Sequence, residues 1–178
     1  SFLMDARTGL GRFREFGVSN YQLMMMLIDC CRDLSIDQIL ALPDVKERVD
    51  VFFAQHALFR AQLARVAQVH GNLVVLDLRS EAVIYAGNRF VVYAMYPQCD
   101  ISMHVMWGRE KLNTVYTVGK SIFDRGNKLM VGELMLNHGG GGHHAAGTCQ
   151  GDNETAEEMK RGLIESILSL SLEEAAHA

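Results

Sequence analysis

The spacing of apolar residues changes once along the chain. Up to His70 they recur at helical steps, and from Leu73 they crowd into short β-branched runs. Ser19-Asn20-Tyr21-Gln22 reads as a capping box. It opens a helix with Leu23, Met26 or Leu27, Cys30 and Leu34 on one face. Ser35-Ile36-Asp37-Gln38 repeats the pattern and opens a short helix ending near Pro43. Met24, Met25 and Met26 read as flexible core filler. In the long helix that follows, Val45, Val49, Phe52, His56, Phe59, Leu63, Val66 and His70 form a heptad-like seam. Such a seam has to bury against a partner chain or against the helices before it. Gly71-Asn72 reads as its C-terminal cap. His56, inside the seam, is expected to be a hydrogen-bonded core histidine whose loss costs stability.

Residues 73–79, 100–107 and 114–118 read as strands, the last after a turn at Glu110-Lys111-Leu112-Asn113. Residues 87–96 carry the β-branched residues of a strand as well. A short helix is expected near residues 131–137, and a strand near Thr148-Cys149-Gln150. Thr155-Ala156-Glu157-Glu158 caps a last helix with Ala156, Met159, Leu163, Ile167 and Leu170 on one face. The alternation predicts an α/β (α+β) chain: a helical region, then a mixed β-sheet domain flanked by helices.

Between the short helix and the strand near Thr148 lies the run Asn137-His138-Gly139-Gly140-Gly141-Gly142-His143-His144-Ala145-Ala146-Gly147. Consecutive glycines give up the most backbone entropy on folding and pack no side chain, which argues against a helix or strand interior. They suit a tight loop whose N–H groups converge on an anion. The histidines at its ends add donors that gain charge near neutral pH. Ala145, Ala146 and Gly147 keep the next segment small, and that segment reads as a strand, so anion binding here would use loop N–H groups and side chains in place of a helix dipole.

Gly-Gly-Gly-Gly-His followed closely by Ala-Ala-Gly resembles the signature of the DHHA1 domain, the C-terminal substrate-binding domain of DHH-superfamily phosphoesterases. That superfamily includes RecJ-like exonucleases, oligoribonucleases, pAp phosphatases and exopolyphosphatase-related proteins. The usual form has two residues between the histidine and Ala-Ala-Gly, whereas here only His144 stands between His143 and Ala145. His143 is the natural match because it directly follows the glycines, with His144 the alternative. Asp5-Ala6-Arg7-Thr8-Gly9-Leu10-Gly11-Arg12-Phe13 resembles the tail of the catalytic DHH domain in the exopolyphosphatase-related branch. Pro43-Asp44-Val45-Lys46-Glu47-Arg48 resembles the helix that links the two domains. The resemblance therefore implies a catalytic-domain tail over residues 1–18, a helical linker over 19–71 and a DHHA1-like domain over 72–178, and it makes residues 87–96 a helix between two strands.

It also implies a site. Gly139, Gly140, Gly141, Gly142, His143 and His144 would bind substrate, with His143 in the catalytic role. Gly119-Lys120-Ser121 looks like the family's Arg-Ser phosphate-binding element with lysine in place of arginine, and Arg125 is the alternative clamp. Lysine keeps the point charge but loses the bidentate fork. The expected ligand is a phosphorylated nucleotide, a short oligonucleotide or polyphosphate. Mn²⁺ or Mg²⁺ would be held by the catalytic DHH domain of the same parent chain, because no Asp-His-His triplet occurs here.

Charge and cysteines narrow the classes. Seventeen basic against twenty-one acidic residues disfavour a clamp on long duplex DNA. Residues 109–128 nevertheless carry five basic against two acidic side chains, a local excess suited to phosphate. Cys30, Cys31, Cys99 and Cys149 fit neither a disulfide framework nor a zinc site, which suggests buried thiols in a reducing cytoplasm. No apolar run is long enough for a membrane span. The chain begins Ser1-Phe2-Leu3 without Met, as a fragment would. Two other readings stay open. His138, His143 and His144 could be ligands of a zinc site, or the chain could be a non-catalytic nucleotide-binding or dimerisation module, a possible homodimer through the seam.

Overall fold

The computed structural model describes residues 16–124 and 126–176, with side chains up to residue 171. The proposed catalytic-domain tail at residues 5–13 and the candidate clamp Arg125 lie outside them. The expected α/β architecture is found: helices flank a six-stranded mixed sheet. The chain divides into two compact units, one reaching Gln62 and including Glu81–Arg89, the other comprising Leu63–Ser80 and the residues from Phe90 onward.

The first unit holds helices α1 (Asn20–Asp33), α2 (Ile36–Ala41) and most of α3 (Pro43–Val66). Both capping boxes form: the Ser19 and Ser35 hydroxyls accept from the Gln22 and Gln38 N–H groups, and each glutamine reaches back to the cap. Along the α3 seam Val45 and Phe59 are buried, but His56 is exposed. The expectation of a core histidine therefore fails. The buried polar residues of α3 are instead Arg48 and Gln62. Arg48 donates to the Asp44 carbonyl at 2.9 Å, the Val18 carbonyl at 2.5 Å and Asn20 Oδ1 at 3.2 Å, with its guanidinium 4.0 Å from the centre of the Phe16 ring. Gln62 ties residues 81–85 to the helix, donating to the Val83 carbonyl and accepting from the Tyr85 N–H. Met24 and Met25 are exposed and do not fill a core.

The seam also ends early. Residues expected to be the last helical turn form strand β1 (Ala67–His70), which pairs antiparallel with β2 (Leu73–Asp77) across Gly71-Asn72. Gly71 has φ +57°, so the glycine serves a hairpin turn in place of a helix cap.

The second unit is the sheet with its helices. After β2 come a short helix α4 (Val91–Met95), β3 (Ile101–Trp107), β4 (Thr114–Lys120), α5 (Val131–Asn137), β5 (Gly141–His143), β6 (Ala146–Gly151) and α6 (Ala156–Ala176). The strand order is β1-β2-β3-β4-β6-β5, with β2 and β3 parallel and the other pairs antiparallel. The parallel pair needs a long connection, and α4 lies within it. One face of the sheet is the core. Val75, Met103, Tyr116 and Val118 gather there with Val131 and Met135 of α5 and Leu163 and Ile167 of α6. Leu170, expected on the same face of α6, is exposed. Of the cysteines, Cys99 and Cys149 are buried and Cys31 is exposed.

An ion cluster fixes the start of α6 to the end of β2. Asp77 accepts from Arg79 at 2.5 Å and from Lys160 at 3.0 Å; Arg79 and Lys160 also pair with Glu157. Arg79 lies 5.7 Å from the centre of the Trp107 ring, whose Nε1 donates to the Arg79 carbonyl. Burial alone would raise the Asp77 pKa, but the hydrogen bonds from Arg79 and Lys160 overcome it and hold the carboxyl at about 2. The folded value lies below the unfolded one of about 3.9. Its stabilisation is thus fully present above about pH 4 and lost as pH falls towards 2. It amounts to about 2–3 kcal/mol. Urea unfolding between pH 5 and pH 2 should therefore show a shallower acid limb in Asp77→Asn; an unchanged slope would remove the cluster from the account.

Candidate functional site

All described candidates belong to the second unit. Lys120 closes β4 and Ser121 follows it. The Lys120 ammonium donates to the carbonyls of Asn127 and Leu129, at 2.7 and 3.1 Å. Those bonds shape the loop after β4 and leave one of the three ammonium N–H groups for a ligand. Ser121 is buried, and its hydroxyl accepts from the N–H groups of Phe123 and Asp124, at 3.1 and 3.3 Å. Asn127 anchors the far side of the loop by donating to Asp100 Oδ2 at 3.0 Å.

The glycine run is two structures joined end to end. α5 ends in a Schellman cap: the Gly140 N–H donates to the Met135 carbonyl at 2.8 Å, the Gly139 N–H to the Leu136 carbonyl at 3.0 Å, and Gly139 has φ +74°. The N–H groups of these two glycines are spent on the helix. Gly141 and Gly142 then enter β5, the edge strand, where Gly141 lies opposite Thr148, Gly142 opposite Gly147 and His143 opposite Ala146. The expectation that the glycines exclude a strand fails at these two positions.

Close approach explains the composition. A methyl group on Gly142 would lie 2.3 Å from the Ala146 carbonyl oxygen, and one on Gly132 of α5 2.9 Å from the Gly142 carbonyl. Strand β5 is thus pressed between β6 and α5.

His143 and His144 stand exposed at the turn, with ring centres 6.1 Å apart. His143 Nδ1 accepts from the Ala145 N–H at 3.2 Å, which leaves Nε2 to carry the proton in the neutral ring. The turn carbonyls are tied down: that of His144 accepts from Val131 N and that of Ala145 from Lys120 N. The latter bond links the two halves of the candidate site, the β4 end and the glycine hairpin. Among the described residues no three His, Cys, Asp or Glu side chains are grouped to hold a metal ion, so His138, His143 and His144 do not form a zinc site.

The chain is similar to PggH, a pGpG-specific phosphodiesterase from Vibrio cholerae. The two are 58% identical with a TM-score of 0.77, over 94% of this chain and 57% of that one. The chain thus spans little more than half the length of this relative. An exopolyphosphatase-related protein from Bacteroides fragilis is 14% identical with a TM-score of 0.48, over 84% of this chain and 45% of that one. No family model and no curated protein matches the chain. Among the described residues no helix is long and apolar enough to cross a membrane.

Sequence reasoning missed the anchoring of the site. The Schellman cap and the Ala145–Lys120 link are backbone arrangements, the Lys120 ammonium bonds end on backbone carbonyls, and only the Gly139-Gly140 pair after a helical pattern could have pointed to the cap.

Proposed function

We propose that this chain is the substrate-binding part, with its helical linker, of a DHH-superfamily phosphodiesterase acting on a short 5′-phosphorylated oligonucleotide such as pGpG. The observation that carries the reading is identity of 58% to a pGpG-specific phosphodiesterase, extending over 94% of the chain. The chemistry of the hairpin fits. His143 presents an exposed imidazole at a turn held by α5 and β4. The Nε2–H of that ring would donate to a phosphate oxygen, and the negative charge of the phosphate strengthens such a bond. Lys120 supplies positive charge through its remaining N–H, and the Ser121 hydroxyl can still donate its proton.

Hydrolysis of a phosphodiester calls for a water activated by a divalent ion such as Mn²⁺ or Mg²⁺. The described residues do not fit such a centre. In this reading the DHHA1-like domain recognises and orients substrate, and the metal belongs to the catalytic DHH domain of a longer parent.

Calorimetric titration tests the reading, with pGpG, pAp, a cyclic dinucleotide and polyphosphate as ligands, each with and without Mn²⁺. Metal-independent binding that favours pGpG, without turnover, is the expected outcome. Absence of pGpG binding would overturn the assignment, and Mn²⁺-dependent turnover by this chain would overturn the division of labour.

A further inference from the structure

The face of the sheet opposite the core carries two rows of side chains at its β5 end. Directly opposed residues on paired strands share a face. The register places Ser102, Gly119, Ala146 and His143 in one row, and His104, Thr117, Thr148 and Gly141 in the next. Two contacts fix which face this is. Gly147, one residue out of phase, lies against Met135 of α5 on the core side. Tyr93 of α4 reaches Ser102 Oγ and the Gly119 carbonyl, both at 2.8 Å, from the other side. His143 therefore shares its face with Thr117 and Thr148.

These two threonines stand out by their hydrogen bonding. In β3, β4 and β6 the other hydroxyl, amide, ring and charged side chains have partners: Ser102 has Tyr93, Thr114 has Asn153, Tyr116 has the Ala156 carbonyl and Gln150 has Asn113. His104 and Trp107 are likewise partnered. Thr117 and Thr148 are directly opposed and half-buried, and neither hydroxyl has a partner among the described residues. Opposed Cβ atoms lie about 4.5–5.5 Å apart, and the diagonal step from Thr148 to His143 spans about 7–8 Å. Gly119, Ala146 and Gly141 surround the pair with little or no side chain, so a ligand can lie close to the sheet. The two rows hold no lysine, arginine, aspartate or glutamate. A neutral platform of paired hydroxyls suits groups that both donate and accept, and it offers a phosphate no countercharge.

Resting on the function proposed above, we infer that Thr117 and Thr148 bind the nucleoside part of the substrate, through a ribose hydroxyl or a base edge, while His143 beside them meets the phosphate. The platform gives the site a means of telling a nucleotide from bare polyphosphate.

The test compares the full chain with Thr117→Val, Thr148→Val and the double variant, in titrations with pGpG, its 2′-deoxy analogue pdGpdG and tripolyphosphate. Valine keeps the β-branched shape. Because neither hydroxyl serves the fold, the melting temperature should stay unchanged. The double variant should bind pGpG about tenfold more weakly and tripolyphosphate as before. A wild-type deficit of the same size on pdGpdG would place the bonds on the 2′-hydroxyl; equal wild-type binding of the two dinucleotides, with the variant deficit kept on both, would place them on the base. Unchanged pGpG affinity in the double variant, or an equal loss for tripolyphosphate, would overturn the inference and leave the function standing. Failure of the wild-type chain to bind pGpG would overturn both.

Discussion

Replacing His143 by alanine is expected to lower turnover of a 5′-phosphorylated dinucleotide by about a hundredfold or more in the full-length parent, with little change in melting temperature. The two halves of this expectation have different grounds. On stability, the ring is exposed, and the hydrogen bond it accepts from Ala145 lies on an exposed turn whose carbonyls are separately tied to β4 and α5. Exposed positions without a special role change stability by about 0.5 kcal/mol or less. On catalysis, a positioned imidazole that transfers a proton or meets developing charge supplies about 10²–10⁴-fold. His144→Ala should act more mildly, because the Ala145 N–H fixes the ring of His143 and not that of its neighbour. His56→Ala serves as a control for exposed histidines on another element and should leave both rate and stability alone. Steady-state kinetics and thermal melts on the three variants decide the matter. Equal, mild effects of His143→Ala and His56→Ala would remove His143 from the site.

His56 also marks where the sequence stops being legible. Its seam position gave it a core role, because a heptad repeat names one face of a helix but not what covers it. The structure instead buries Arg48, whose charge would place it on the solvent side, because three oxygens and the Phe16 ring satisfy its guanidinium. The capping boxes at Ser19 and Ser35 were legible because they are local, each complete within four residues. The end of α3 was not. Val66 and His70 continue the period, yet residues 67–70 gain more by pairing with β2 than by another helical turn. Gly71 with φ +57° serves a helix cap and a hairpin equally well, so the glycine could not separate the two. In residues 87–96 the β-branched residues pointed to a strand and the family resemblance to a helix; the five-residue helix Val91–Met95 is what forms.

The glycine run should respond to alanine position by position, with the largest stability losses at Gly140 and Gly142. A methyl group at Gly140 would meet the Thr148 carbonyl oxygen at 2.1 Å and Cys149 Cβ at 2.6 Å; at Gly142 it would meet the Ala146 oxygen at 2.3 Å and Gly147 Cα at 2.4 Å. These obstacles are mostly backbone atoms of the paired strand and cannot swing aside, so each substitution should cost about 3 kcal/mol, the upper range of overpacking. Gly139→Ala meets no atom but forces a left-handed residue at φ +74°, worth about 1–2 kcal/mol. Gly141→Ala meets nothing within 4 Å and should be neutral to within about 0.5 kcal/mol. Urea unfolding of the four variants would order them Gly140 and Gly142, then Gly139, then Gly141. A freely flexible loop predicts four small effects, and uniform costs would deny the pairing of β5 with β6. The order also separates fold from function. Gly141→Ala keeps the hairpin while placing a methyl group beside the Thr148 platform, so a stable variant with weakened pGpG binding would locate the ligand over β5. A stable variant with unchanged binding would confine the substrate to the His143 end.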